Sequence, residues 1–140
     1  MKIEEQVLSR EQMARLVELG VDTSDASMAW YMSPNTNQWK IKIKDKFAHE
    51  MLRRISPERY IPTYTTGDLI EKLPKHINGW NDNRLVIDGD EDADYWYVVY
   101  KNRYEHSETE YFDSENLLTA LYNLLCWVAI NRKELLGIKK

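Results

Sequence analysis

The sequence predicts an α+β domain, an antiparallel sheet of about four strands with helices packed on both faces as an α/β/α sandwich. Three observations carry the prediction. A capped, one-faced helical stretch opens the chain, two stretches alternate strand, turn and strand, and a long leucine-rich run sits near the C-terminus. Runs of strands mixed with helices, with no regular βαβ repeat, indicate antiparallel pairing.

Ser9 precedes the first helix, expected over about Arg10 to Leu19, and Gln12 stands three residues on, the pattern of a capping box. Met13, Leu16, Val17 and Leu19 recur at helical spacing. Gly20 is placed as the left-handed stop, with Val21 positioned for the hydrophobic contact that follows it.

Met28 to Met32 and Gln38 to Lys44 flank the turn-forming cluster Ser33-Pro34-Asn35-Thr36-Asn37, which reads as a β-hairpin. In the second arm Trp39, Ile41 and Ile43 alternate with Lys40, Lys42 and Lys44. This period of two marks a half-buried strand, and the lysine row suits a sheet edge, where charge deters stray pairing.

Asp45 can cap a helix through about Ile55, ended by Ser56-Pro57. After Ile61 to Thr65, Thr66 is expected to cap another helix, with Asp68 at its positive end and Leu69, Ile70 and Leu73 buried before Pro74. A second hairpin joins Arg84 to Ile87 with Tyr95 to Tyr100 across the acidic stretch Asp88 to Asp94. Every residue of Tyr95 to Tyr100 is apolar or aromatic, so that strand is expected at the centre of the sheet with cover on each side.

The last helix is expected over about Glu115 to Lys133, capped from Asp113-Ser114, with Leu117, Leu121, Leu124 and Val128 as its stripe and Leu118, Leu125 and Ile130 widening it. With 140 residues and no low-complexity linker, residues 1–140 read as one domain.

Composition narrows the function. No apolar run approaches the ~18 residues of a membrane span and the first residues lack a secretion signal, so a cytoplasmic protein is expected. The one cysteine, Cys126, lies in Leu124-Leu125-Cys126-Trp127 and reads as a small core hydrophobe. Net charge is -4, and residues 61–115 hold five Lys and Arg against thirteen Asp and Glu. That imbalance argues against broad binding to a phosphate backbone, leaving only the local excess from Lys40 to Arg59.

Catalytic patterns fail one by one. His49, His76 and His106 fall in no ligand spacing. His49-Glu50-Met51-Leu52-Arg53 carries Arg53 where a zinc-protease helix needs its second histidine. Asp88, Asp90, Asp92 and Asp94 open like a calcium loop, but Ala93 replaces the turn glycine and Val99 the bidentate glutamate. Gly67, Gly79 and Gly89 build no phosphate loop. We therefore assign no catalytic, cofactor or metal residue, and an enzyme of unknown type ranks below a binding protein. Trp80, in the polar stretch Asn78 to Asn83, is the aromatic most suited to a contact surface.

Three blocks, Leu16 to Ser24, Ile61 to Pro74 and Glu115 to Trp127, resemble a group of short uncharacterised proteins of gut anaerobic bacteria and their prophages or mobile elements. The order of short helix, hairpin and long C-terminal helix also resembles the phage ABA sandwich domain. These resemblances imply a helix-sheet-helix layering and a phage context, and bring no site residue with them. The expected function is that of a small accessory or binding protein acting through surface contacts, with an unknown protein partner or a second copy. The second reading is nucleic-acid binding by Lys40, Lys42, Lys44, Lys46, Arg53 and Arg54.

Overall fold

The computed structural model describes residues 5–44, 54, 57–77, 83–90, 95–102 and 112–138. The fold is α+β, with two antiparallel sheets among the described residues. The chain divides into two compact units, Met1–Asp68 and Leu69–Lys140. The four strands expected in one sheet are divided between two, which among the described residues hold three and four strands.

The first unit begins with α1, Arg10–Glu18. Its capping box forms as the sequence requires: Ser9 Oγ accepts from the Gln12 amide at 3.1 Å, and Gln12 Oε1 accepts from the Ser9 amide at 2.8 Å. Gly20 closes the helix at φ 92, a conformation that costs L-residues energy and glycine little. The Val21 amide donates to Leu16 O and the Gly20 amide to Val17 O, the two bonds of a Schellman stop. Met13 and Leu16 are buried, whereas Val17 is 58% exposed, a correction to the expected stripe. In a helix of nine residues the covered face is centred between Met13 and Leu16, and Val17 falls on its flank.

Strands β1, Met28–Met32, and β2, Trp39–Ile43, form the expected hairpin, with Met32 opposite Trp39 and Met28 opposite Ile43. Asn37, at φ 53, supplies the left-handed residue in the turn. A third strand not expected from sequence, β3, Tyr60–Thr63, follows a short 3₁₀ turn at Pro57–Arg59 and pairs with the far side of β1. The sheet order is β2-β1-β3, so among the described strands β2 lies at an edge. The helix expected over Asp45 to Ile55 lies outside the described residues, apart from Arg54, which is exposed.

Next comes α2, Thr66–Lys72. Its cap is Thr65, one residue before the expected Thr66: Thr65 Oγ1 accepts from the Asp68 amide at 3.1 Å and Asp68 Oδ2 accepts from the Thr65 amide at 3.0 Å. The reciprocal pair needs an acid three residues after the cap, and only Thr65 has Asp68 there.

In the second unit the strands are β4, His76–Ile77, β5, Asn83–Asp90, β6, Tyr95–Lys101, and β7, Phe112–Ser114, in that spatial order. β6 is flanked by partners on both sides, as its composition implied, but of its residues only Val98, Val99 and Tyr100 are buried, and Trp96 is 42% exposed. The short strands β4 and β7 carry too little pattern to be read in the sequence. The final helix, α3, is Leu117–Asn131, capped by Asn116, whose Oδ1 accepts from the Leu118 amide at 2.8 Å. Asp113 and Ser114, the expected cap, belong to β7 instead, and Ser114 Oγ accepts from the Asn116 amide.

Helix α3 packs on β6 and β7 and buries Leu118, Ala120, Leu121, Leu124, Leu125 and Val128. Ile130, expected to widen the apolar stripe, is 55% exposed. Tyr100, fully buried, sends its hydroxyl to Pro74 O at 2.8 Å.

Candidate interaction surface

Two hydrogen bonds fix which backbone groups of the hairpin are used. The Ser33 amide donates to Gln38 O and the Lys44 amide to Ser27 O, so the bonded pairs begin and end there. Antiparallel ladders alternate bonded and non-bonded pairs, which makes Tyr31 with Lys40 and Ala29 with Lys42 the bonded pairs between. The amides and carbonyls of Trp39, Ile41 and Ile43 therefore point away from β1, toward the outside of the sheet. No described strand lies on that side.

The opposite edge is closed by two devices. The alternation that directs Ala29 toward β2 leaves its β3 partner, Pro62, with its nitrogen on the outer side, where a missing N–H disables strand pairing. Beyond Pro62, the Leu8 amide donates to Tyr64 O at 3.0 Å, and Val7 bridges Thr65. Leu8 O in turn accepts from Trp30 Nε1 at 2.9 Å and from the buried Thr63 Oγ1 at 2.7 Å, which pins the N-terminal segment to the sheet.

Side chains of β2 sort by face. Trp39, Ile41 and Ile43 share a face with Met28 and Trp30 of β1. Ile43 is 77% exposed, the most exposed large hydrophobic among the described residues, and Arg10 lies 4.4 Å over the Trp39 ring. On the other face Lys40 is exposed, Lys42 sits 4.7 Å over the Tyr31 ring, and Lys44 Nζ reaches Ser24 O. Among the described residues the strand thus offers an unused hydrogen-bonding edge between an apolar row and a cationic row.

A polar network holds this unit together nearby in the chain. Asp68 Oδ2 accepts from the Ser27 amide at 3.1 Å and from Ser27 Oγ at 2.7 Å, in addition to its capping bond. The Tyr64 hydroxyl lies 2.6 Å from Asp25 Oδ1 and 3.0 Å from Asp22 O. Burial, and then the Asp25 carboxylate that takes its proton's hydrogen bond, pushes the Tyr64 phenol well above the usual tyrosine range. Such a phenol stays protonated near neutral pH, so it serves as a tether rather than a base.

In the second unit, Asp88 Oδ2 accepts from the Tyr97 hydroxyl at 3.0 Å, and Asp88 Oδ1 accepts from the Gly89 amide at 2.8 Å. The Leu85 amide donates to Lys75 O, so the Gly89 amide faces the same outer side of β5, and the Asp88 carboxylate covers it. Across the ladder the Trp96 ring lies over Gly89, where an added Cβ would stand 3.8 Å from the indole. The exposed indole is therefore occupied on one side by cross-strand packing.

Of the residues weighed from sequence, His76 and Arg54 are exposed and Cys126 is half-buried within α3. His49, His106, Trp80, Lys46, Arg53 and residues 91–94 of the acidic turn lie outside the described residues. Among the described residues no three His, Cys, Asp or Glu side chains are grouped to hold a metal, and no helix is long and apolar enough to cross a membrane. Of the expected basic segment, Lys40 and Arg54 are exposed, while Lys42 and Lys44 are half-buried and engaged within the unit. The lysine row marks β2 as an edge in the sequence, whereas the opposite edge is not marked as a strand; Pro62 between Ile61 and Thr63 is the signal of a closed edge there.

No family model, curated protein or solved structure matches the chain.

Proposed function

We propose that this chain is a small accessory binding protein of a phage or mobile element, acting in the cytoplasm through surface contact with a protein partner. One observation carries the binding reading: the outward amides and carbonyls of Trp39, Ile41 and Ile43 on the edge strand β2, beside an isoleucine that is 77% exposed. An edge of this kind accepts an extended segment of another chain, with main-chain bonds giving affinity and alternate side chains giving specificity. The phage origin rests on the three sequence blocks alone, and the cytoplasmic setting on the lone cysteine.

The nucleic-acid reading draws less support, since among its described cations only Lys40 and Arg54 are exposed. Affinity purification of the full chain from its host, with and without nuclease, tests the proposal. A protein that is retained after nuclease treatment and lost from the Ile43→Asp variant is the expected result. Recovery of nucleic acid or a small molecule alone, or a partner indifferent to Ile43→Asp, would contradict it.

A further inference from the structure

We infer that β2 takes as its partner strand an acidic extended segment, one that alternates carboxylate and apolar side chains. The inference rests on the binding reading above and gives that partner its chemistry. A strand added beside Trp39–Ile43 places its own residues opposite those of β2 on each face. On one face it meets Trp39, Ile41 and the exposed Ile43, which favour apolar neighbours. On the other it meets Lys40 and Lys42, which favour carboxylates. Only a segment with the same period of two and the opposite charge satisfies both faces at once.

The same geometry argues against two alternatives. A second copy docking β2 on β2 would set lysine against lysine on the polar face, and like charges directly opposite one another destabilise a sheet. A nucleic-acid strand would meet the exposed Lys40, but it has no backbone donors and acceptors to match the spacing of outward groups at Trp39, Ile41 and Ile43.

The test uses the full chain and fluorescein-labelled peptides. The acidic probe alternates Glu and Val; its comparators alternate Lys and Val, or carry a central Pro in the acidic sequence. A single-stranded oligonucleotide of equal charge and sedimentation of the chain alone complete the set. The expected result is binding of the acidic peptide, reduced by salt, and weakened about tenfold or more by the central Pro, which removes a ladder bond. Lys40→Glu should weaken it about fivefold, because one cross-strand attraction becomes a repulsion. Ile41→Pro should abolish binding with an unchanged far-ultraviolet dichroism spectrum, since the Ile41 amide is not used within the sheet.

Lys40→Glu changes an exposed side chain, and the peptide comparisons need no variant, so the test survives if Ile41→Pro fails to fold. Preference for the basic peptide, for the oligonucleotide, or for a second copy in sedimentation would overturn the inference. Acidic-peptide binding that Lys40→Glu leaves unchanged would also overturn it while leaving the broader binding reading standing. A partner recovered from the host that competes with no peptide would do the same.

Discussion

Two tyrosine hydroxyls, one in each unit, are worth more than their size suggests, because each belongs to a buried side chain and meets an acceptor. Tyr64 donates to Asp25 and Tyr100 to Pro74 O. Tyr64→Phe leaves the Asp25 carboxylate without that donor and should cost about 1–3 kcal/mol by denaturant titration. Tyr100→Phe leaves a carbonyl oxygen without its donor, with a cost of about 1 kcal/mol on the same scale.

The two groups also set a direction for alkaline unfolding. Burial raises both phenols above the ordinary tyrosine value of 10.0. In the unfolded chain they lose their protons near that value, while the folded chain keeps them. The unfolded state then binds fewer protons, so stability falls as pH rises above 10.0 and is fully present below it. Unfolding midpoints measured through that range should drop, and Tyr64→Phe should flatten the drop.

At the scale of elements, local chemistry decides where helices begin and end. Ser9→Ala removes one half of the capping box of α1 and should cost about 0.5–2 kcal/mol. The buried face of α3 carries more: Leu121→Ala should cost about 2–5 kcal/mol, read as a fall in the denaturation midpoint. Much of this was legible in the sequence. Ser9, Gln12 and Gly20 mark α1 because each acts on its own neighbours, and the alternation of Trp39 to Lys44 marks β2 in the same way.

What was not legible depends on distant chain segments. β3 carries a proline, and β4 and β7 are two and three residues long, so their strand character comes from the neighbours they pair with. The shift of the last cap from Ser114 to Asn116 has the same origin, since pairing with Trp96 holds Ser114 in a strand. Missing β3 also hid the contrast between the two edges of its sheet.

Across the molecule, a net charge of -4 repels an acidic partner at long range, while the lysine row of β2 attracts it at short range. Binding of an acidic strand should therefore show a modest salt dependence, set by a few lysines rather than by the whole surface. In the acidic turn that opens at Asp88, Ala93 stands where a calcium loop needs its glycine and Val99 where it needs its bidentate glutamate. Calcium titration should accordingly leave the thermal midpoint unchanged, where a specific site would raise it with concentration.

Native-state amide exchange along β2, resolved residue by residue, tests the open edge most directly. An alternation is expected in the free chain, with Lys40 and Lys42 slow and Trp39, Ile41 and Ile43 fast, and slowing of the fast set when the acidic peptide binds. An Ile41 amide protected as strongly as that of Lys42 in the free chain would contradict it.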